Sequence, residues 1–155
     1  MKKVTCKIKM EHAKILGGSY KNFEGRKDEY NRTGKRSFYV EIEDENFANV
    51  LKEDGWNVKP LKQRDESEPL TYKLQVFVSY EKYEPEITLI SDHGQKETAL
   101  KEDTVACLDH AWLKDVELVI SPYNWEVNGK TGVKAYLQKM TATTVEDEYY
   151  RAYEE

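Results

Sequence analysis

The chain has 155 residues, 39% of them hydrophobic and 34% charged, and a formal net charge of −5 at pH 7. That length suits one domain with a real core, and no apolar run approaches the roughly 20 residues needed to cross a bilayer. At the amino end Val4, Cys6, Ile8 and Met10 alternate with Lys7 and Lys9 in place of a signal peptide's apolar block, so the expectation is a cytoplasmic protein with no membrane partner.

Residues 4–15 predict a first strand whose apolar face changes from Val4, Cys6, Ile8 and Met10 to Ala13 and Ile15, which requires a bulge or bend. Long, bent first strands are what small barrels use to pair with both sheets. Residues 16–35 contain Gly17, Gly18, Gly25 and Gly34 and no apolar period, and so predict a long loop. From Lys14 to Arg36 seven basic residues (Lys14, Lys21, Arg26, Lys27, Arg32, Lys35 and Arg36) face three acidic ones (Glu24, Asp28 and Glu29). Tyr20, Phe23 and Tyr30 are interleaved with them. Rings for stacking beside cations for phosphates are what single-stranded nucleic acid requires; the competing reading is a solvated loop pinned to the body by its aromatics.

Phe38, Val40 and Ile42 mark one face of a second strand and leave Tyr39 on the other. Asp44 is placed to cap a short helix with Phe47, Val50 and Leu51 as its core stripe and Gly55 as its stop. A polar connection follows Trp56, in which Lys59, Lys62 and Arg64 either extend the basic surface or simply face solvent. In the strand at 71–80, Tyr72, Leu74, Val76 and Val78 share a face, so Phe77 falls beside Lys73 and Gln75. If the second and third strands pair, Tyr39 and Phe77 form an outer stacking platform, unless a helix or second subunit covers them. Ile87, Leu89 and Ile90 continue or pair with that strand, and Asp92-His93-Gly94 reads as a turn. Asp103 is expected to cap a helical segment facing Val105, Leu108 and Trp112 inward.

The firmest element spans residues 115–148. Val116, Leu118 and Ile120 alternate on one arm, Val133, Ala135 and Leu137 on the other, with Asn128-Gly129 as the tight turn and Gly132 loosening the base. Tyr123, Trp125 and Lys130 stand at the tip; the two rings either take a partner or fold back onto the body. The end, residues 146–155, carries five acids (Glu146, Asp147, Glu148, Glu154 and Glu155) against Arg151 alone.

This order predicts a mainly β fold: an OB-fold-like five-stranded Greek-key barrel with one or two short helices and an acidic C-terminal tail. Residues 1–145 form the nucleic-acid-binding domain and 146–155 the tail. In an OB-fold the loops at 16–35 and 122–132 flank the oligonucleotide face, and both are the aromatic and basic loops picked out above. The stretches NFEGRKDEYNRTGKRSFYVEIED, LKEDGWNVKPLKQRDESEPLTYKLQVFVSY and SPYNWEVNGKTGVKAYLQKM, with the acidic end, resemble the single-stranded-DNA-binding proteins encoded by bacteriophages over most of the chain. The resemblance implies an OB-fold that coats single strands in replication or recombination, with an acidic tail that contacts replication proteins and competes with DNA. The tail here is short and rich in tyrosine, so a mobile tail and a docked final helix through Tyr149, Tyr150 and Tyr153 both stand.

The candidate DNA contacts are stacking by Tyr20, Phe23, Tyr30, Tyr39, Phe77, Tyr123 and Trp125, and phosphate pairing by Arg26, Lys27, Arg32, Lys35, Arg36 and Lys130. Exposed edges give a homodimer a route. A protein-interaction module on the same barrel is the alternative, favoured by the overall acidity. Neither an enzyme nor a cofactor is expected, because no nucleophile triad or phosphate-cradling glycine loop is present. His12, His93 and His110 are scattered without metal-ligand spacing, and Cys6 and Cys107 are expected to be buried, reduced thiols.

Overall fold

A computed structural model describes residues 6–63, 65–81, 84–91 and 96–144. Val4, Arg64, the Asp92-His93-Gly94 turn and the 146–155 tail lie outside the described residues.

The described strands are β1 (Ile8–Met10), β2 (Lys14–Ile15), β3 (Lys21–Asn22), β4 (Arg36–Ile42), β5 (Val58–Leu61), β6 (Thr71–Val78), β7 (Glu86–Ser91), β8 (Lys96–Leu100), β9 (Leu113–Val127) and β10 (Lys130–Thr144). One helix, α1 (Glu45–Asp54), follows β4. Short 3-10 turns lie at Gly18–Tyr20 and Val105–Asp109, and among the described residues no helix is long and apolar enough to cross a membrane.

The strands join in one mixed sheet whose main path runs β1-β9-β10-β6-β4-β2. Both ends of that path belong to the first stretch of chain. The expected bend falls at His12, which adopts φ 55 between β1 and β2; β1 pairs with β9 and β2 with β4. Strict alternation on β4 and β6 sends Phe38, Val40, Ile42, Tyr72, Leu74, Val76 and Val78 inward, where they meet Val116, Leu118 and Ile120 of β9 and Val133, Ala135 and Leu137 of β10. The hairpin turn is as expected, with φ 51 at Asn128 and 78 at Gly129.

Beyond that hairpin β10 changes neighbour. Ala135 and Tyr136 pair in parallel with Val76 and Phe77 of β6, and Lys139 to Thr143 pair with β7. The register shift between Leu137 and Lys139 lies where the partner changes.

Several expectations need correction. Ile87, Leu89 and Ile90 lie on a strand that pairs with β10 and β8, not with β6. The polar connection after Trp56 includes β5, paired to the edge of β6. Asp44 does cap α1, accepting from the N–H groups of Asn46 at 2.9 Å and Phe47 at 3.4 Å, a cap worth about 1 kcal/mol. The helix's buried positions, however, are Ala48 and Leu51, while Val50 is exposed. Asp103 is not the cap of the segment at 105–109, which begins after Thr104 without a side-chain cap. Trp112 does not face inward but is 78% exposed. Cys6 and Cys107 are free and exposed, since strand alternation ends before Cys6 and Cys107 sits on the outer side of its turn.

Candidate nucleic-acid interface

The side chains that do not enter the core converge on the outer face of β4, β6, β10 and β9. Tyr39 stands opposite Gln75, and Phe77 opposite both Ser37 and Tyr136. Their rings form a track. Tyr20 meets Tyr39 edge-on at 5.4 Å, Phe77 lies 6.2 Å from Tyr136, and Tyr136 meets Tyr123 edge-on at 5.9 Å. Two ammonium groups are set among the rings: Lys73 Nζ lies 5.2 Å and 5.3 Å from the Tyr20 and Tyr39 centroids, and Lys134 Nζ 4.2 Å and 5.4 Å from those of Phe77 and Tyr136. At these distances the cations are attracted to the ring faces. Burial pushes the Tyr39 hydroxyl pKa up.

At the hairpin tip Tyr123 and Trp125 are 40% and 38% exposed, and Lys130 is exposed. Gly132 pairs with Trp125 across the hairpin. Its role is not to loosen the base: a Cβ there would lie 2.6 Å from Cζ2 of the indole, so the missing side chain makes room for the ring.

Loop 16–35 is a built structure. The Asn22 side chain accepts from the N–H groups of Gly25 and Arg26 at 3.0 Å and 2.8 Å, and the Asn31 amide donates to the carbonyls of Arg26 and Lys35. The Asp109 carboxylate holds the loop to the body by accepting from the N–H groups of Phe23 at 2.7 Å and Glu24 at 2.9 Å. Lys21, counted among the basic loop residues, is buried; its Nζ donates to the carbonyls of Leu108 and Ala111, and desolvation lowers its pKa.

Phe23 is fully buried and stacked on Phe38 at 5.0 Å. It has no free face for a base, because the loop folds inward at that point. Arg36 is likewise engaged: its Nε donates to the Phe23 carbonyl at 2.9 Å, its guanidinium lies 5.3 Å from the Tyr80 centroid, and it reaches Glu102 at 3.4 Å. Arg26 donates to the Lys21 carbonyl yet remains exposed, as do Lys27, Arg32, Lys35 and Tyr30, the last at 93%. The structure thus brings Tyr20, Tyr39, Phe77, Tyr123 and Trp125 onto one face and puts Tyr30 and the exposed cations on the loop beside it. Among the described residues no three His, Cys, Asp or Glu side chains gather as a metal site requires.

The sequence model described as "Putative phage ssDNA-binding domain" matches residues 1–155, the whole chain. The chain belongs to this phage single-stranded-DNA-binding family. Its fold is shared with the single-stranded DNA-binding protein of bacteriophage Enc34. The Enc34 structure in complex with ssDNA superposes with a TM-score of 0.57 at 12% identity, covering 91% of this chain and 88% of that one. A C-terminally truncated Enc34 protein gives 0.55 at 13% identity, covering 91% and 87%. No curated protein matches the sequence. Against this phage single-stranded-DNA-binding fold, sequence reasoning put Lys73 beside Phe77 without counting it among the DNA contacts, and missed Lys134 and Tyr136 as members of the outer face. The signal was present: they occupy the alternate positions to Leu74, Val133, Ala135 and Leu137.

Proposed function

We propose that this chain binds and coats single-stranded DNA without strong sequence preference, as a non-enzymatic protein of phage replication or recombination. The observation that carries the reading is the ring track with Lys73 and Lys134 set into it, lying between the 16–35 loop and the hairpin tip. Bases stack on Tyr39, Phe77, Tyr123 and Trp125, with Tyr20 and Tyr30 at the loop side, and every base offers a face to such rings. Lys73, Lys134, Arg26, Lys27, Arg32, Lys35 and Lys130 pair with phosphates. Phe23 and Arg36 act indirectly, by holding the loop in shape.

The sheet path that begins and ends on residues 8–15 supports a five-stranded Greek-key barrel of the OB type over residues 1–145. On this reading residues 146–155, with five acids against one arginine, compete with DNA for the basic face and contact replication or recombination proteins.

Fluorescence anisotropy with a labelled oligo-dT of about 30 nucleotides tests both parts, comparing the full chain with one ending at Val145 at low and moderate salt. Salt-sensitive binding that tightens on truncation is expected. Absence of binding by either form at low salt would overturn the reading and favour a protein-interaction module.

A further inference from the structure

The outer face contains a cleft as well as a track. β6 has one edge shared by two partners: Val58 to Leu61 of β5 pair with its first half, and β10 pairs only at Val76 and Phe77. Gln75 stands at the changeover. On the far side of the gap, Trp56 bridges Val133 in parallel, and Val133 N–H donates to the Gly55 carbonyl at 3.2 Å. The end of α1 is thereby fastened to β10. Gly55, with φ 102, ends the helix in the left-handed conformation, donating its N–H to Leu51 and Lys52 and turning the chain into the fork.

The result is a groove of about 390 Å³ lined by Trp56, Asn57, Gln75, Phe77, Trp125 and Lys134. That volume lies near the small end of the range for ligand pockets, about 300 to 1,000 Å³. Its chemistry is specific in kind. Phe77 and Trp125 contribute aromatic surface, Lys134 a cation, and Gln75 and Asn57 primary amides. The Gln75 amide is oriented by its bond to Ser37 Oγ at 3.1 Å.

We infer that this groove is a subsite for one nucleobase of the bound strand, inserted at the fork between β6 and β10. The inference rests on the DNA-binding reading above and adds to it a place where the strand leaves the stacking track and puts a base into the fold. A primary amide offers a donor and an acceptor side by side. Each of the four bases presents an adjacent donor and acceptor on its pairing edge, so an amide-lined slot accepts all of them. It adds affinity without demanding a sequence.

The test is Asn57→Phe, which fills the groove from its exposed rim. Binding is measured to labelled dT30 and to an abasic phosphodeoxyribose chain of the same length, with unfolding followed by circular dichroism. The expected result is a loss of roughly fivefold to a hundredfold on dT30, the worth of one stacked base, with affinity for the abasic chain unchanged. Unchanged dT30 binding by the folded variant, or an equal loss on both probes, would overturn the subsite while leaving the track in place. If the unaltered protein does not bind dT30, the DNA-binding reading falls and the subsite with it. Should Asn57→Phe unfold, Gln75→Leu carries the same comparison and the same outcomes.

Discussion

Trp125 rests on Gly132: the two residues face each other across the hairpin, and three indole atoms lie within 3.0 Å of where a Cβ of residue 132 would sit. The glycine is therefore a seat for the ring, fixing a large side chain over the strand where it would otherwise swing in solvent. Gly132→Ala should push the indole off this seat. Tryptophan emission should change and dT30 binding should weaken about as much as in Trp125→Ala, since a displaced ring and an absent one leave the same gap. The double variant should be no weaker than Trp125→Ala alone. Additive losses would show that Gly132 acts independently of the ring.

Phe23 and Phe77 both carry a stacking expectation in the sequence, but they occupy opposite sides of the fold. Phe23→Ala removes a fully buried ring stacked on Phe38 and should cost about 3 to 5 kcal/mol of stability, read as a lowered denaturation midpoint. Phe77→Ala removes a half-buried ring from the outer face and should leave the midpoint nearly unchanged while weakening dT30 binding by about 1 to 3 kcal/mol. The reverse pattern would mean that the two rings had been assigned to the wrong sides.

This contrast marks what the sequence could and could not show. Period-two alternation made the core faces of β4, β6, β9 and β10 legible, and with them the outward positions of Tyr39 and Phe77. It was equally informative about Lys134 and Tyr136, which the inward-facing pattern of Val133, Ala135 and Leu137 leaves on the other side. The 16–35 loop had no such period. Nothing local marks Phe23 as core, Lys21 as buried or Arg36 as engaged, because their partners, Phe38, Leu108, Ala111 and Glu102, are remote in the chain. β5 was hidden for a related reason. Of its residues Val58, Lys59, Pro60 and Leu61 the middle two are exposed, and one of them is a proline, which an edge strand tolerates and a central one does not. The fork at Gln75, formed by strands distant in sequence, was invisible to pattern reading altogether.

Lys73 and Lys134 are the cations placed within the track itself, and their contribution is separable from that of the rings. Each phosphate neutralised on a single strand adds about 0.7 to the slope of log affinity against log salt. The double variant Lys73→Gln, Lys134→Gln should reduce that slope by about 1.4. Arg36→Gln is the control, because this guanidinium is committed to the Phe23 carbonyl, Tyr80 and Glu102. It should lower stability and leave the slope nearly as it was. An unchanged slope in the lysine double variant would remove both side chains from the phosphate path.

The bend that lets the first stretch pair at both ends of the sheet path carries an ionic contact: His12 Nδ1 lies 2.9 Å from Asp115 Oδ1. The hydrogen bond to Asp115, then its charge, raise the His12 pKa above 6.5, with smaller contributions from Glu11 and Glu117 and a small opposing effect of desolvation. A histidine whose folded pKa is raised binds its proton more tightly in the folded state. The pair's contribution is therefore fully present below pH 6.5 and is lost as pH rises through the folded-state value. Both groups are substantially exposed, so the effect is small and screened by salt. Titration of the His12 ring protons by NMR should give a midpoint above 6.5 that falls in Asp115→Asn. The unfolding temperature of the native chain should decline slightly across that window relative to the variant. A His12 midpoint unmoved by the substitution would show that the bend is held by its backbone, including the Ala13 N–H donated to the Val116 carbonyl at 2.8 Å, and that the ion pair contributes nothing to it.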